Sequence, residues 1–204
     1  DKTHHLIGEK ELSQMSPASV LINTSRGEVV DSLALLNNIE NHLLQATVLD
    51  VWENEPFINW YLADHATIST PHIAGHSLDA KINGTNIIYQ AACQYFGADL
   101  SWKVPLDFDV PLPLSDSIEA IGLDFQDIVH ILATRLYDLH GDHTQFQSLL
   151  SEPSIDRPAR FDQLRKNYPR RREFLSSAIG VKNTNILNIS RLNLLGFSSY
   201  LIEI

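Results

Sequence analysis

Apolar positions in the first hundred residues recur with two different periods. Val20–Asn23, Ala46–Val51 and Ala66–Ser69 are short β-branched or apolar runs that predict strands, the third stopped by Thr70–Pro71. Between and after them the spacing lengthens to that of a helix. Leu33, Leu36 and Ile39 define one helix over Asp31–Asn41, with Asp31 placed to cap its first turn. Ile82, Ile87, Ala91 and Tyr95 define a second from Ser77 to about Phe96. The aromatic run Phe57–Leu62 reads as part of a loop. Strands alternating with helices predict βαβ units and a parallel sheet, an α/β architecture.

The pattern changes beyond Gly97. Pro105, Pro111 and Pro113 stand among scattered Asp and Leu, which predicts a linker or crossing segment and a domain boundary near residue 98, giving domains 1–97 and 98–204. In the tail, Phe125, Ile128, Val129, Leu132 and Leu136 predict a helix running to about Gly141, with His140–His143 at its end. Phe161, Leu164 and Tyr168 predict a shorter helix stopped by Pro169. Phe174–Val181 reads as a strand, Asn185–Leu195 as a helix closed by Gly196, and Tyr200–Ile204 as a last strand, so the tail is expected to be α+β.

Composition narrows the function. With 44% hydrophobic residues over 204 positions the chain can bury a core, and a net charge of −10 argues against a nucleic-acid or anionic-membrane surface as its main business. Cys93 is the single cysteine, expected to be a buried, inert thiol, so no internal disulfide can form and the cytoplasm is the expected compartment. No apolar run approaches the roughly 18 residues of a membrane span. The opening Asp1 without Met, in the middle of a motif, suggests a fragment.

Three polar segments each follow a predicted strand: NTSRG at 23–27, DVWENEP at 50–56 and TPHIAG at 70–75. If the strands are parallel, these segments meet at the carboxyl edge of the sheet, where open α/β folds bind ligands. Singly, Arg26 reads as a surface ion pair, His72 as a turn residue and Glu55–Pro56 as a loop start. Together they form a set suited to a 2-hydroxy acid: Arg26 grips the carboxylate, His72 takes the hydroxyl proton, and Glu55 orients the imidazole and stabilises its cation.

With THHLIG at 3–8, MSPASVLINTSRGEVVD at 15–31, VLDVWENEP at 48–56 and TPHIAGHS at 70–77, residues 3 to about 97 resemble the D-isomer-specific 2-hydroxyacid dehydrogenases, in motifs and in their spacing. The resemblance implies a Rossmann-like sheet, catalytic Arg26, Glu55 and His72, and NAD as cofactor, lined by Thr24, Ser25, Arg26 and Gly75 with Asp50 at the nicotinamide end. Arg26 and His76 are implied at the substrate, His76 standing where a tyrosine is expected. No GxGxxG occurs among the nine glycines, so only the C-terminal part of the nucleotide-binding fold is expected, and this chain alone is expected to be inactive. The tail, with FDQLRKNYPRRREF at 161–174, resembles a dimerisation domain carried by a member of this family that acts on a small phosphorylated hydroxy acid. A homodimer through residues 98–204 is the implied partner. Another dehydrogenase of the family and a dinucleotide-sensing corepressor are the alternatives.

Other constellations carry less. Pro71 and Gly75 break any helix that would pair His72 with His76 on a metal, so no metal is expected. The arginines from Arg157 to Arg172 are interleaved with Asp156, Asp162 and Glu173, which predicts a solvated or interface helix, not a nucleic-acid reader.

Overall fold

A computed structural model describes residues 2–103 and 117–202. The prolines of the expected crossing segment, Pro105, Pro111 and Pro113, lie outside the described residues. Two compact units emerge: the first holds 1–74 and 139–168, the second 75–138 and 169–204. The boundary expected near residue 98 therefore falls inside the second unit, and a segment of the tail returns to the first.

In the first unit β1 (Val20–Asn23), β2 (Ala46–Leu49) and β3 (Ile68–Ser69) form a parallel sheet in that order. The short helix α1 (Glu9–Leu12) precedes it, α2 (Ser32–Glu40) crosses from β1 to β2, and α3 (Trp60–His65) crosses from β2 to β3. Asp31 caps α2 as expected, accepting hydrogen bonds from Leu33 N and Ala34 N. The aromatic segment is not all loop: Asn59 accepts from Tyr61 N and Leu62 N and so starts α3, which buries Leu62 and Ala63. That cap signal, an Asn before an apolar pair, was present in the sequence but masked by β-favouring aromatics.

Two more helices complete this unit. The helix begun at Phe125 stops at Leu136, where Tyr137 turns extended (φ −148°), and α6 (Leu139–Gln147) starts afresh, so His140–His143 opens a helix and does not end one. Phe146 of α6 and Phe161 of α7 (Arg157–Lys166) are fully buried and join Leu35, Leu49, Trp52 and Leu62 in one core. Burying each ring is worth about 2–3 kcal/mol, which explains why these helices pack on the first sheet.

In the second unit β4 (Ser117–Glu119), β5 (Ala178–Lys182) and β6 (Ser198–Ile202) are likewise parallel and adjacent. Helix α5 (Phe125–Leu136) follows β4, and α8 (Ile186–Leu194) joins β5 to β6, closed by Gly196 at φ +94°. The tail expected to be α+β is thus α/β in its strand order. The strand expected from Phe174 begins only at Ala178, because Phe174–Ser176 is a 3-10 turn. Ile128 and Leu132 sit with Ile179, Val181 and Leu192 in a second core. The long helix α4 (Leu78–Phe96), capped by Ser77 and ended by Gly97 at φ +64°, buries Cys93 but leaves Ile87, Ile88, Tyr95 and Phe96 exposed. Among the described residues no helix is long and apolar enough to cross a membrane.

Candidate active site

The strand register sets the geometry. Asn23 lies opposite Leu49 and Leu49 opposite Ser69, so the three strands end at one level. Asp50 N donates to Asn23 O and Thr70 N to Leu49 O, both at 3.0 Å, so the three following turns leave the sheet side by side. A cleft lined by Ile39, Thr47 and Thr67 lies toward the other ends of the strands, away from these turns.

Asn23 shapes the first turn. Its buried side chain accepts from Ser25 N (3.2 Å) and Ser25 Oγ (2.9 Å) and donates to Arg26 O (3.0 Å), leaving the Thr24, Ser25 and Arg26 side chains exposed. The Arg26 guanidinium bonds Ser25 O at 2.7 Å. Gly27 comes next because nothing larger fits: a Cβ there would lie 1.9 Å from Trp52 C and 2.1 Å from Trp52 O.

Trp52 ties the turns together. Only 3% exposed, it donates its indole N–H to Thr70 O at 2.9 Å, and its backbone N–H donates to Glu55 Oε1 at 2.9 Å. The other Glu55 oxygen, Oε2, stands 2.7 Å from His72 Nδ1. A carboxylate only accepts, so Nδ1 carries the proton of this contact.

His72 occupies an unusual backbone conformation for a residue with a side chain, φ +57°. Asp50 holds it there. Its buried carboxylate accepts from Thr70 Oγ1 (2.6 Å), Ile73 N (2.8 Å) and Ala74 N (2.9 Å), pinning the turn on both sides of the imidazole. Asp50, expected at the nicotinamide end of the cofactor, is 3% exposed and turned into the protein, where its three hydrogen bonds go to the His72 turn. Gly75 and His76 belong to the second unit.

Three further side chains reach this edge from positions that sequence patterns did not mark. His143 Nδ1 accepts from Ser69 N at 3.0 Å, and Gln147 Nε2 donates to Ser69 Oγ at 2.7 Å and Ala63 O at 2.6 Å, clamping the end of β3. Arg165 Nη1 lies 3.7 Å from Glu55 Oε2, the oxygen that receives His72. The basic stretch is therefore not simply solvated: Arg165 meets Glu55, Arg157 bonds Leu150 O and Glu152 O, and in the second unit Arg172 pairs with Asp79. Only a spacing of i, i+4 between His143 and Gln147 hinted at the clamp.

A second carboxylate–imidazole pair flanks the site. His5 Nε2 donates to Glu53 Oε1 at 2.6 Å, Ser32 N donates to Glu53 Oε2 at 3.1 Å, and His5 Nδ1 is 3.4 Å from Asp31. The Glu53 hydrogen bond, with the Glu53 and Asp31 charges, raises the His5 pKa. Burial opposes ionisation of Glu53, but the hydrogen bonds from Ser32 and His5 outweigh it and lower its pKa.

Residues 1–74 match the family described as D-isomer specific 2-hydroxyacid dehydrogenase, NAD binding domain, and residues 114–196 match a domain of unknown function, DUF3410. Erythronate-4-phosphate dehydrogenase of Pseudomonas putida (strain W619) is 40% identical over 195 residues, 95% of this chain and 51% of that protein. The enzyme of the same name from Baumannia cicadellinicola subsp. Homalodisca coagulata is 39% identical over 201 residues, 98% of this chain and 51% of its own length. The chain thus spans about half the length of the curated relatives it matches. Among solved structures, D-lactate dehydrogenase with NAD+ from Lactobacillus jensenii shares 25% identity at a TM-score of 0.41, covering 51% of this chain and 36% of that one. Residues 1–74 thus carry part of the domain described as D-isomer specific 2-hydroxyacid dehydrogenase, NAD binding domain, and the chain is similar to erythronate-4-phosphate dehydrogenases over about half of their length.

Proposed function

We propose that this chain carries the acid–base side of an NAD-dependent oxidation of a 2-hydroxy acid, namely 4-phospho-D-erythronate to 2-oxo-3-hydroxy-4-phosphobutanoate, a step of vitamin B6 biosynthesis. The observation that carries the reading is the Glu55–His72 contact at the carboxyl edge of a parallel sheet. The names of the relatives support the substrate.

In this reading His72 Nε2 accepts the C2 hydroxyl proton while Glu55 stabilises the cation formed on the ring. Arg26, exposed on the adjacent turn, presents its remaining N–H groups to the substrate carboxylate. As the O–H pair collapses to the C2 carbonyl, the C2 hydrogen leaves with its electron pair. NAD, when bound, accepts that hydride. The Thr24–Arg26 turn fits the cofactor's nicotinamide side, since its side chains are exposed while Asn23 fixes its backbone. The cytoplasm is the proposed setting, in keeping with the single cysteine, Cys93, which is buried and unpaired.

Substrate choice tests the proposal. The complete protein, supplied with NAD, is expected to release NADH with 4-phospho-D-erythronate at a kcat/KM at least about 100-fold above that for D-lactate or D-glycerate, since a lost anion contact costs a few kcal/mol. Equal rates on all three acids point to a different member of the family. NAD binding without turnover of any of them favours the corepressor alternative.

A further inference from the structure

The family-model match ends at residue 74, yet the carboxylate that contacts His72 also faces a cation from residue 165, within the stretch whose family model is a domain of unknown function. We infer that Arg165 is a positioning residue of the dehydrogenase site: it shares Glu55 Oε2 with His72, fixes that carboxylate, and limits how strongly Glu55 holds the protonated imidazole. The inference rests on the acid–base role proposed for the pair.

Several observations converge on Arg165. It stands in the last turn of α7, whose Phe161 is fully buried in the core shared with Leu49 and Trp52, so the helix is anchored to the layer that bears the Glu55 loop. Its guanidinium lies over the Phe161 ring, 5.9 Å from the centroid, and its side chain is 31% exposed where Glu55 is 17% exposed. Its Nε is buried and makes no hydrogen bond among the described residues, so the group is held by packing and by Glu55. Tyr168, three residues on, donates to Asp142 Oδ2 of α6 at 2.6 Å and secures the end of the helix.

Other charged groups nearby are engaged elsewhere. Glu53 is taken by His5 and Ser32 N, Asp50 by the His72 turn, and Asp142 by Tyr168. Glu55 therefore has two cationic partners on one oxygen, and what it gives to one it withholds from the other. A base that must accept a proton in oxidation and release it afterwards works best when its cation is stabilised moderately. Arg165 supplies that restraint from outside the family's own motifs.

The test compares the complete protein with Arg165→Gln and Arg165→Lys, reading the pH dependence of kcat/KM with NAD and 4-phospho-D-erythronate, the His72 imidazole NMR titration, and thermal melting. Loss of the guanidinium is expected to move the acidic limb of oxidation and the His72 titration midpoint to higher pH by about half a unit, as expected for one partly solvated charge, with Arg165→Lys between the two. A helix that matters only for folding would lower the melting point of both variants and leave the limb and midpoint in place, and that result overturns the inference. A protein with no turnover of any 2-hydroxy acid defeats the proposed function. The NMR midpoint still decides the role of Arg165 in that case: a shift upholds its coupling to the pair, and an unmoved midpoint refutes it.

Discussion

At the scale of single residues, the site rests on a few positions with no tolerance for change. Gly27 is the clearest, because its α-carbon faces the Trp52–Glu53 peptide at a distance that admits only hydrogen. Gly27→Ala is expected to displace the Glu55 loop, lower stability by at least about 2 kcal/mol, and reduce turnover in parallel; a variant with the parent's melting curve and kcat would show that the approach is looser than the structure has it. The strand-end placement of Arg26, Glu55 and His72 was legible in sequence because strand ends are marked by short β-branched runs and the polar segments follow them directly. Arg165 was not legible: among seven basic residues between 157 and 172, nothing local distinguishes the one that turns toward Glu55. For Asp50, the place at a strand end was legible but the partners were not: its carboxylate is buried and bonded to the His72 turn.

At the scale of elements, β1 and β2 emerged close to their expected bounds from their β-branched runs, and α2, α4 and α8 because each had a period and a cap: Asp31, Ser77 and Asn185 all accept from backbone N–H groups of their first turns. The break between α5 and α6 was missed because Leu136 to His140 carries no Gly or Pro; the helix ends where Tyr137 turns extended. The basic stretch hid a second anchoring device. Asp79, in the first turn of α4, accepts from Arg172 Nε and Nη2, from Ser176 Oγ and from Glu173 N. Burial pushes against its ionisation, but the Arg172, Glu173 and Ser176 hydrogen bonds prevail and lower its pKa below 3.8. A depressed folded-state pKa stabilises the folded form above the unfolded value, and that contribution is lost as pH falls from about 3.8 through the folded value. Asp79→Asn is accordingly expected to cost about 2 kcal/mol at neutral pH and nothing in strong acid, measured by denaturant titration of both proteins across pH. A cost that does not change with pH would assign the effect to shape and not to charge.

For the whole molecule, sequence division at residue 98 followed composition, whereas the compact units follow burial: 139–168 returns to the first core through Phe146 and Phe161. No periodicity argument sees such a return. A homodimer through residues 98–204, implied by the resemblance, cannot draw on Ile128 and Leu132, which fill the second unit's own core. Ile186, Leu187 and Leu194 of α8 remain exposed and are part of the apolar surface that region offers, with Ile121, Leu175 and Leu195. Light scattering of the complete protein is expected to give a dimer at tens of micromolar, and Leu187→Glu with Leu194→Glu a monomer; an unchanged dimer would place the interface elsewhere. The central claim, that His72 is the acid–base group of a 2-hydroxy acid dehydrogenase, is tested most directly by kcat/KM of His72→Asn against the parent in the complete protein, with NAD and 4-phospho-D-erythronate. A loss of about 100-fold to 10,000-fold in an otherwise folded variant is the expected result, and a variant within about threefold of the parent, less than 1 kcal/mol of transition-state stabilisation, would contradict it.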